Sequence, residues 1–210
     1  MINLCMLSGS FEYDSEISLK AFKAFAEKHY PIKTDLIIYN SEDDDPSLAA
    51  LDDADALLVF TRRLNTEGAS LKRFQDYCEQ GRPLVGVRTA SHAYQNWLAF
   101  DKEVLGGDYQ GHYGHGPMTR VEIVEAEHPI LKGIPAFDCY GSLYKNPSLR
   151  EDTSLLLVGH TDEHSEPVAW TRLHNGGRVC YTSLGHQQDF EVDPFLQFLA
   201  QSILWVSEQI

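Results

Sequence analysis

Apolar and polar positions in the first half of the chain alternate between two periods. Residues 2–7 (INLCML) form a short apolar run closed by Ser8-Gly9-Ser10, the pattern of a buried strand followed by a turn. Beyond Ser15, a candidate helix cap, Ile17, Phe22, Ala24, Phe25 and Ala26 recur at helical spacing. Residues 33–39 (KTDLIIY) read as a second strand, the acidic run 42–45 as a solvated loop, and residues 56–60 (ALLVF) as a third strand. From Thr66, the spacing of Leu71, Phe74, Tyr77 and Cys78 predicts a helix that Gly81 ends. Residues 83–87 (PLVGV) read as a fourth strand. Apolar strands alternating with helical patterns predict an α/β fold, a doubly wound, mainly parallel sheet flanked by helices.

The second half is less regular. Strands are expected over 120–124 and 155–158, and the runs 168–173 and 178–182 flank His174-Asn175-Gly176-Gly177, which predicts a β-hairpin near the C-terminal end. Pro194 opens a closing helix with Phe195, Phe198, Leu199, Ile203, Leu204 and Trp205 on its apolar stripe. No repeat or linker interrupts residues 1–210, and 210 residues fall near the usual size of about 100–200 residues per domain, so one domain is expected.

Charge narrows the partners. With 17 Lys+Arg against 31 Asp+Glu, the net charge of −14 disfavours nucleic acid and anionic membranes, both of which require cationic surface. No apolar run reaches the length of roughly 20 residues that a membrane span needs. Cys5, Cys78, Cys139 and Cys180 are widely spaced without a CxxC pair and read as free, buried thiols. Together with an N-terminus that lacks a basic signal region, they predict a cytoplasmic protein.

In a sheet of this kind ligands bind beyond the carboxyl ends of the strands. Ser8-Gly9-Ser10, Thr61-Arg62-Arg63 and Arg88-Thr89-Ala90-Ser91-His92 follow the first, third and fourth strands, so Arg62, Arg63, Arg88 and His92 are expected on one rim. Guanidinium forks suit carboxylates, phosphates or vicinal hydroxyls. The alternative for the two adjacent arginines is pairing with surface acids. The glycine-rich stretch 106–115 (GGDYQGHYGH) carries Tyr109, Tyr113 and the His112–His115 pair, and residues 181–186 deliver His186 to the turn after a strand. His-x-x-His alone is a weak metal signal, because zinc takes three or four ligands, with His92, His160 or His186 as further candidates. No cofactor is expected; a divalent ion such as zinc on His112, His115 and His186 is the lesser alternative. His128 reads as a turn residue, and His29, His164 and His174 as surface positions.

Residues 86–90 (GVRTA) have the strand, sharp turn and helix pattern of a nucleophile elbow, with Arg88 at the tip. A guanidinium is no nucleophile and stays protonated. The position therefore reads as an anion- or polyol-binding spot near a helix N-terminus, with Thr89 and Ser91 as remote alternatives for covalent chemistry.

Residues 83–93 (PLVGVRTASHA), Leu105-Gly106-Gly107 with Gly111-His112, His128-Pro129-Ile130, Gly141-Ser142-Leu143-Tyr144, residues 166–171 (EPVAWT), Gly177-Arg178-Val179 and residues 182–186 (TSLGH) together resemble the trehalose-utilisation (ThuA-like) family. The likeness runs from about Ala56 onward. It implies a class I glutamine amidotransferase-like (flavodoxin-like) fold and a place in carbohydrate metabolism. The amidotransferases carry Cys at the elbow tip and a later His-x-Glu, whereas this chain has Arg88 and His186-Gln187-Gln188. Glutaminase activity is thus not expected. The resemblance supplies no reaction, and the residues themselves leave two functions open. One is an enzyme, a sugar-directed lyase, hydrolase or isomerase without a Cys or Ser nucleophile, working by histidine acid–base chemistry with His186, His92 and His112. Arg62, Arg63, Arg88, Tyr113, His115 and Tyr144 would then bind the substrate, and Glu163 and Glu166 are the acids to examine. The other is a non-catalytic sensor or binding subunit. Both imply a small sugar-like ligand, and both are compatible with a homodimer.

Overall fold

The computed structural model describes residues 1–114 and 118–210. Its framework is the strands β1 (Ile2–Gly9), β2 (Ile32–Ile38), β3 (Ala56–Thr61), β4 (Leu84–Val87), β5 (His112–Tyr113), β6 (Thr119–Ile123), β7 (Asp138–Cys139), β8 (Leu143–Tyr144), β9 (Ser154–His160), β10 (Ser165–His174) and β11 (Gly177–Thr182). Three α-helices accompany them, α1 (Ser15–His29), α2 (Gly68–Glu79) and α3 (Asp193–Val206). Nine strands form one sheet in the order β2-β1-β3-β4-β11-β10-β9-β6-β7, while β5 and β8 pair separately. The first five in that order are parallel, and β10, β9, β6 and β7 continue as an antiparallel wing.

The two-residue period of the inner strands divides the core. Leu4 and Met6 of β1 and Ala56, Leu58 and Phe60 of β3 face one layer with Phe22, Phe195, Phe198 and Ile203. Cys5, Leu7, Leu57 and Val59 face the other, with Phe74, Tyr94, Phe100, Trp170 and Tyr181. A strand buried on both faces reads as a continuous apolar run, which is why these segments were legible without alternation. The hairpin forms as expected: Asn175 (φ 50°) and Gly176 (φ 85°) supply the two positive-φ positions of the turn between β10 and β11.

Two features place the site. The strand β1 lies between β2 and β3, so the strand order reverses there, and in open parallel sheets the ligand crevice lies beyond the carboxyl ends of the strands at such a point. After β4 there is no α-helix. Arg88–His92 is a 3-10 turn, followed by a second at Gln95–Trp97 and a π-helical turn at Asp101–Leu105. This corrects the expected elbow: the sharp turn is present, with Arg88 at φ 46°, but the short turn behind it offers no helix dipole to an anion. Among the described residues no helix is long and apolar enough to cross a membrane.

Candidate functional site

The carboxyl ends of the parallel strands are tied together by the backbone. Arg62 donates its N–H to the Gly9 carbonyl (3.0 Å) and Arg63 donates to the His92 carbonyl (2.8 Å), so the end of β3 is lashed to the turns after β1 and β4. Arg63 and Arg88 both hold positive φ, 48° and 46°, a conformation that costs an L-residue roughly 1–2 kcal/mol. The carbonyl of Arg88 is fixed by the Tyr181 hydroxyl at 2.6 Å.

The Arg88 side chain lies buried beneath these strand ends and is 1% exposed. Its guanidinium donates to the Ser183 carbonyl (2.9 Å), the Ser142 carbonyl (3.4 Å) and the Tyr13 hydroxyl (3.3 Å). Its carbon lies 4.5 Å from the ring centre of Tyr13 and 4.7 Å from that of Tyr144, a cation between two π faces. Gly141, at φ 85°, makes the close approach possible, since a Cβ there would stand 2.8 Å from the guanidinium. Arg88 Nε is buried without a partner.

Around this cation stand four more rings. His92 stacks on Tyr109 with centroids 4.5 Å apart, and Tyr109 lies 4.7 Å from Tyr144. His112 lies 6.5 Å from Tyr144 and His186 lies 6.0 Å from Tyr13. His92, His112, His186, Arg88 and Tyr144 therefore meet in one place, as do Arg62 and Arg63, whose charges both act on His92. His115 lies outside the described residues.

The protonation states differ. Burial, then the charges of Arg62, Arg63 and Arg88, hold His92 down to about 3, so it is neutral at physiological pH. Ser91 Oγ lies 3.4 Å from the Arg88 carbonyl and 3.0 Å from His92 Nδ1, and the neutral His92 ring carries one donor and one acceptor nitrogen. His186 is half-buried and is pushed down by burial and by Arg88. Its Nδ1 accepts the Gln188 N–H at 3.4 Å, so the neutral ring carries its proton on Nε2. Exposed His112 meets the Gly114 carbonyl through Nδ1 at 2.9 Å and so holds its proton there.

Two carboxylates that sequence reasoning missed organise these rings. Asp189 is fully buried and accepts backbone N–H bonds from Tyr140 (2.6 Å), Gly185 (2.9 Å) and His186 (2.8 Å). Burial raises its pKa against the pull of those amides and of Arg88. It orders the His186 backbone, and no bond joins it to the imidazole among the described residues. Asp101 accepts the Tyr109 N–H at 2.8 Å and is raised by burial to about 6. The only signal for either was an acid at the start of a short turn, too common a pattern to single out.

Other expectations are corrected by position. Arg62 is half-buried and paired with Glu12 at 3.0 Å, the bland alternative. Tyr113 does not share a face with Tyr144. In the β5–β8 ladder His112 pairs with Tyr144 and Tyr113 with Leu143, so adjacent side chains point to opposite faces. Tyr113 instead donates to Glu166 (3.0 Å), stacks on His164 at 3.7 Å and lies under Lys145. His164 is thus half-buried in a second cluster rather than a surface residue, and His174 is half-buried too. Glu166 is occupied by Tyr113 and the Asn146 N–H, while Glu163 is exposed beside His164 at 3.9 Å.

Covalent candidates fare poorly. Thr89 is buried and donates to Ser10. All four cysteines are free and buried; burial raises Cys5 and Cys180 to about 12 and pushes Cys78 and Cys139 up as well. Among the described residues no three His, Cys, Asp or Glu side chains are grouped to hold a metal ion.

Comparison with solved structures places this architecture. A ThuA-like protein from Parabacteroides merdae superposes with TM-score 0.80 at 17% identity, covering 99% of this chain and 90% of that one. A second, from Bacteroides uniformis, gives 0.75 at 21% identity over 98% and 91%. A glutamine amidotransferase from Thermotoga maritima gives 0.57 at 13% identity over 99% and 98%, which establishes the amidotransferase-like fold. No curated protein matches the sequence. The family described as trehalose utilisation matches residues 6–206, which suggests a carbohydrate-related role, and the chain belongs to this ThuA family.

Proposed function

We propose that the crevice beyond β1, β3, β4 and β11 binds a sugar or sugar-derived small molecule and transforms it by histidine acid–base chemistry. The observation that carries this reading is the clustering of Tyr13, Tyr109, Tyr144, His92 and His186 around the buried Arg88 at the point where the strand order reverses. Aromatic faces suit the apolar face of a pyranose, and imidazole nitrogens suit its hydroxyls. Neutral His92 carries one donor and one acceptor nitrogen, and neutral His186 presents a donor at Nε2. One donor and one acceptor are what proton transfer at a keto-sugar or glycoside requires. With its guanidinium beneath the aromatic rings, Arg88 orders the floor rather than grasping the ligand from solvent. The reading needs no cofactor. Metal analysis of purified protein decides whether His112 and His115 hold zinc.

Calorimetric titration with trehalose, glucose, fructose and their oxidised derivatives tests the reading. At least one is expected to bind, Tyr109→Ala to weaken it ten-fold or more, and His186→Ala to remove turnover while sparing affinity. Binding that ignores both variants, or none across the panel, would overturn it. A second reading, a non-catalytic sensor, is favoured by one observation: His186 also caps the 3-10 turn Gln187–Glu191, a structural role in its own right. Equal loss of affinity and rate in His186→Ala, or ligand binding without turnover, would decide for the sensor.

A further inference from the structure

The rim of the crevice carries a charge pattern that narrows the ligand. The chain as a whole has a formal net charge of −14, yet Arg62, Arg63 and Arg88 gather at two neighbouring strand ends. Three of the nearby carboxylates are already engaged. Glu12 holds Arg62, Asp101 accepts from Tyr109, and Asp189 accepts from three backbone amides. Arg88 is buried on carbonyls and rings. Arg63 alone of the three is exposed, and it pairs with no carboxylate among the described residues. It is held at φ 48° by its own N–H bond to the His92 carbonyl, and the next residue, Leu64, donates to the Ala93 carbonyl at 2.8 Å. This fixed backbone holds an exposed cation beside the turn that carries His92. Its charge acts on both His92 and Tyr109, the stacked pair of the wall.

Resting on the sugar-binding reading above, we propose that the ligand is a sugar acid, a polyol ring bearing one carboxylate, with the carboxylate on Arg63 and the ring against Tyr109 and His92. One uncompensated guanidinium matches a monoanion. A phosphate dianion would face Glu12 with no further exposed cation among these three arginines to balance it. A planar carboxylate also takes the two parallel N–H bonds that a guanidinium fork offers. The anion would stand close enough to the imidazole of His92 to offset the three arginine charges that add to burial in keeping it neutral.

The experiment is calorimetric titration of D-glucuronate, D-glucose, acetate and inorganic phosphate into the wild-type protein, Arg63→Gln and Arg63→Lys. Glucuronate is expected to bind ten-fold or more tighter than glucose. That preference should fall to within two-fold in Arg63→Gln and survive in part in Arg63→Lys. A proton NMR titration should show His92 titrating at higher pH when glucuronate is bound. Glucose binding as tightly as glucuronate, or a preference unchanged in Arg63→Gln, overturns the inference and leaves the sugar-binding reading standing. Acetate or phosphate binding as tightly as glucuronate also overturns it, because the site would then read charge without the ring. If neither hexose binds, the sugar-binding reading fails and this inference falls with it.

Discussion

His92 and Tyr109 stack with ring centroids 4.5 Å apart and planes 16° from parallel. The pair is held from behind at both ends, His92 by Ser91 and Tyr109 by the Asp101 carboxylate on its N–H. The phenol therefore shields an imidazole that burial and three arginines keep neutral. Tyr109→Ala should admit water to the ring and weaken the cost of charging it, so the His92 pKa is expected to climb from about 3 toward the ordinary value of 6.5. The loss of stacking should cost about 0.5–1.5 kcal/mol of stability. Imidazole C–H resonances followed by NMR against pH report the first effect, and thermal unfolding reports the second. An unmoved His92 titration would mean that Tyr109 contributes nothing to the burial of the imidazole.

The same two groups set opposing pH dependences. His92 falls from 6.5 to about 3 on folding, so the unfolded chain binds its proton more tightly and stability rises with pH between those values. Asp101 rises from 3.8 to about 6, so the folded chain binds the proton more tightly and stability falls as pH rises through that window. Each contributes a slope of about 1.4 kcal/mol per pH unit at most, with opposite signs. Relative to wild type, His92→Asn should lose stability with rising pH between about 4 and 6, and Asp101→Asn should gain it. Denaturant unfolding at pH 4.5, 5.2 and 6.0 measures both differences. Two variants whose curves run parallel to wild type would show that neither group is perturbed by folding.

Gly141 tests whether the Arg88 sandwich sets the shape of the crevice. An alanine there would have to hold φ 85°, and its methyl would stand 2.8 Å from the guanidinium and 3.2 Å from His186 Cβ. At Gly111, φ is 88° but nothing lies within 4 Å. Gly111→Ala should therefore cost only the backbone penalty of about 1–2 kcal/mol, whereas Gly141→Ala should cost at least about 1 kcal/mol more and weaken ligand binding. Melting temperatures of the two variants side by side separate strain from crowding.

Much of this was legible in the chain, for identifiable reasons. Buried parallel strands such as Ala56–Thr61 leave continuous apolar runs, and Asn175-Gly176 names its turn directly. Strand ends then pointed to Arg62, Arg63, Arg88 and His92 without any fold in hand. The directions of side chains were not legible. Tyr113 and Tyr144 look equivalent in sequence, and only the register of a two-residue ladder sends Tyr113 away to Glu166. Nor could the partners of Asp189 and Asp101 be foreseen, because backbone amides that accept no side-chain code supply most of their bonds.

That separation of faces makes a prediction of its own. Tyr113 is one residue from His112, yet its ring belongs to the cluster of His164, Lys145 and Glu166. Tyr113→Phe should cost about 1 kcal/mol of stability by leaving Glu166 short of a donor. Ligand affinity in the crevice should change by less than two-fold, against ten-fold or more for Tyr109→Ala. Parallel calorimetric titrations of the two variants check this, and an equal loss of affinity would place Tyr113 in the binding surface after all.

The turn after β4 carries a guanidinium at Arg88 in place of a nucleophilic thiol. Arg88→Cys would restore a thiol at the tip of the turn, where φ 46° already presents the side chain sharply. A nucleophilic thiol needs an imidazole to take its proton and a carboxylate to orient that imidazole. Here the His186 Nδ1 accepts from Gln188 N–H, and both oxygens of Asp189 are spent on backbone amides. Removing the guanidinium also strands the carbonyls of Ser183 and Ser142, at a cost on the order of 1–3 kcal/mol for each buried group left unpaired. Arg88→Cys should therefore be less stable than wild type and release no glutamate from glutamine above background, as followed by a coupled glutamate assay. Measurable glutaminase activity in this variant would show that another group can orient His186.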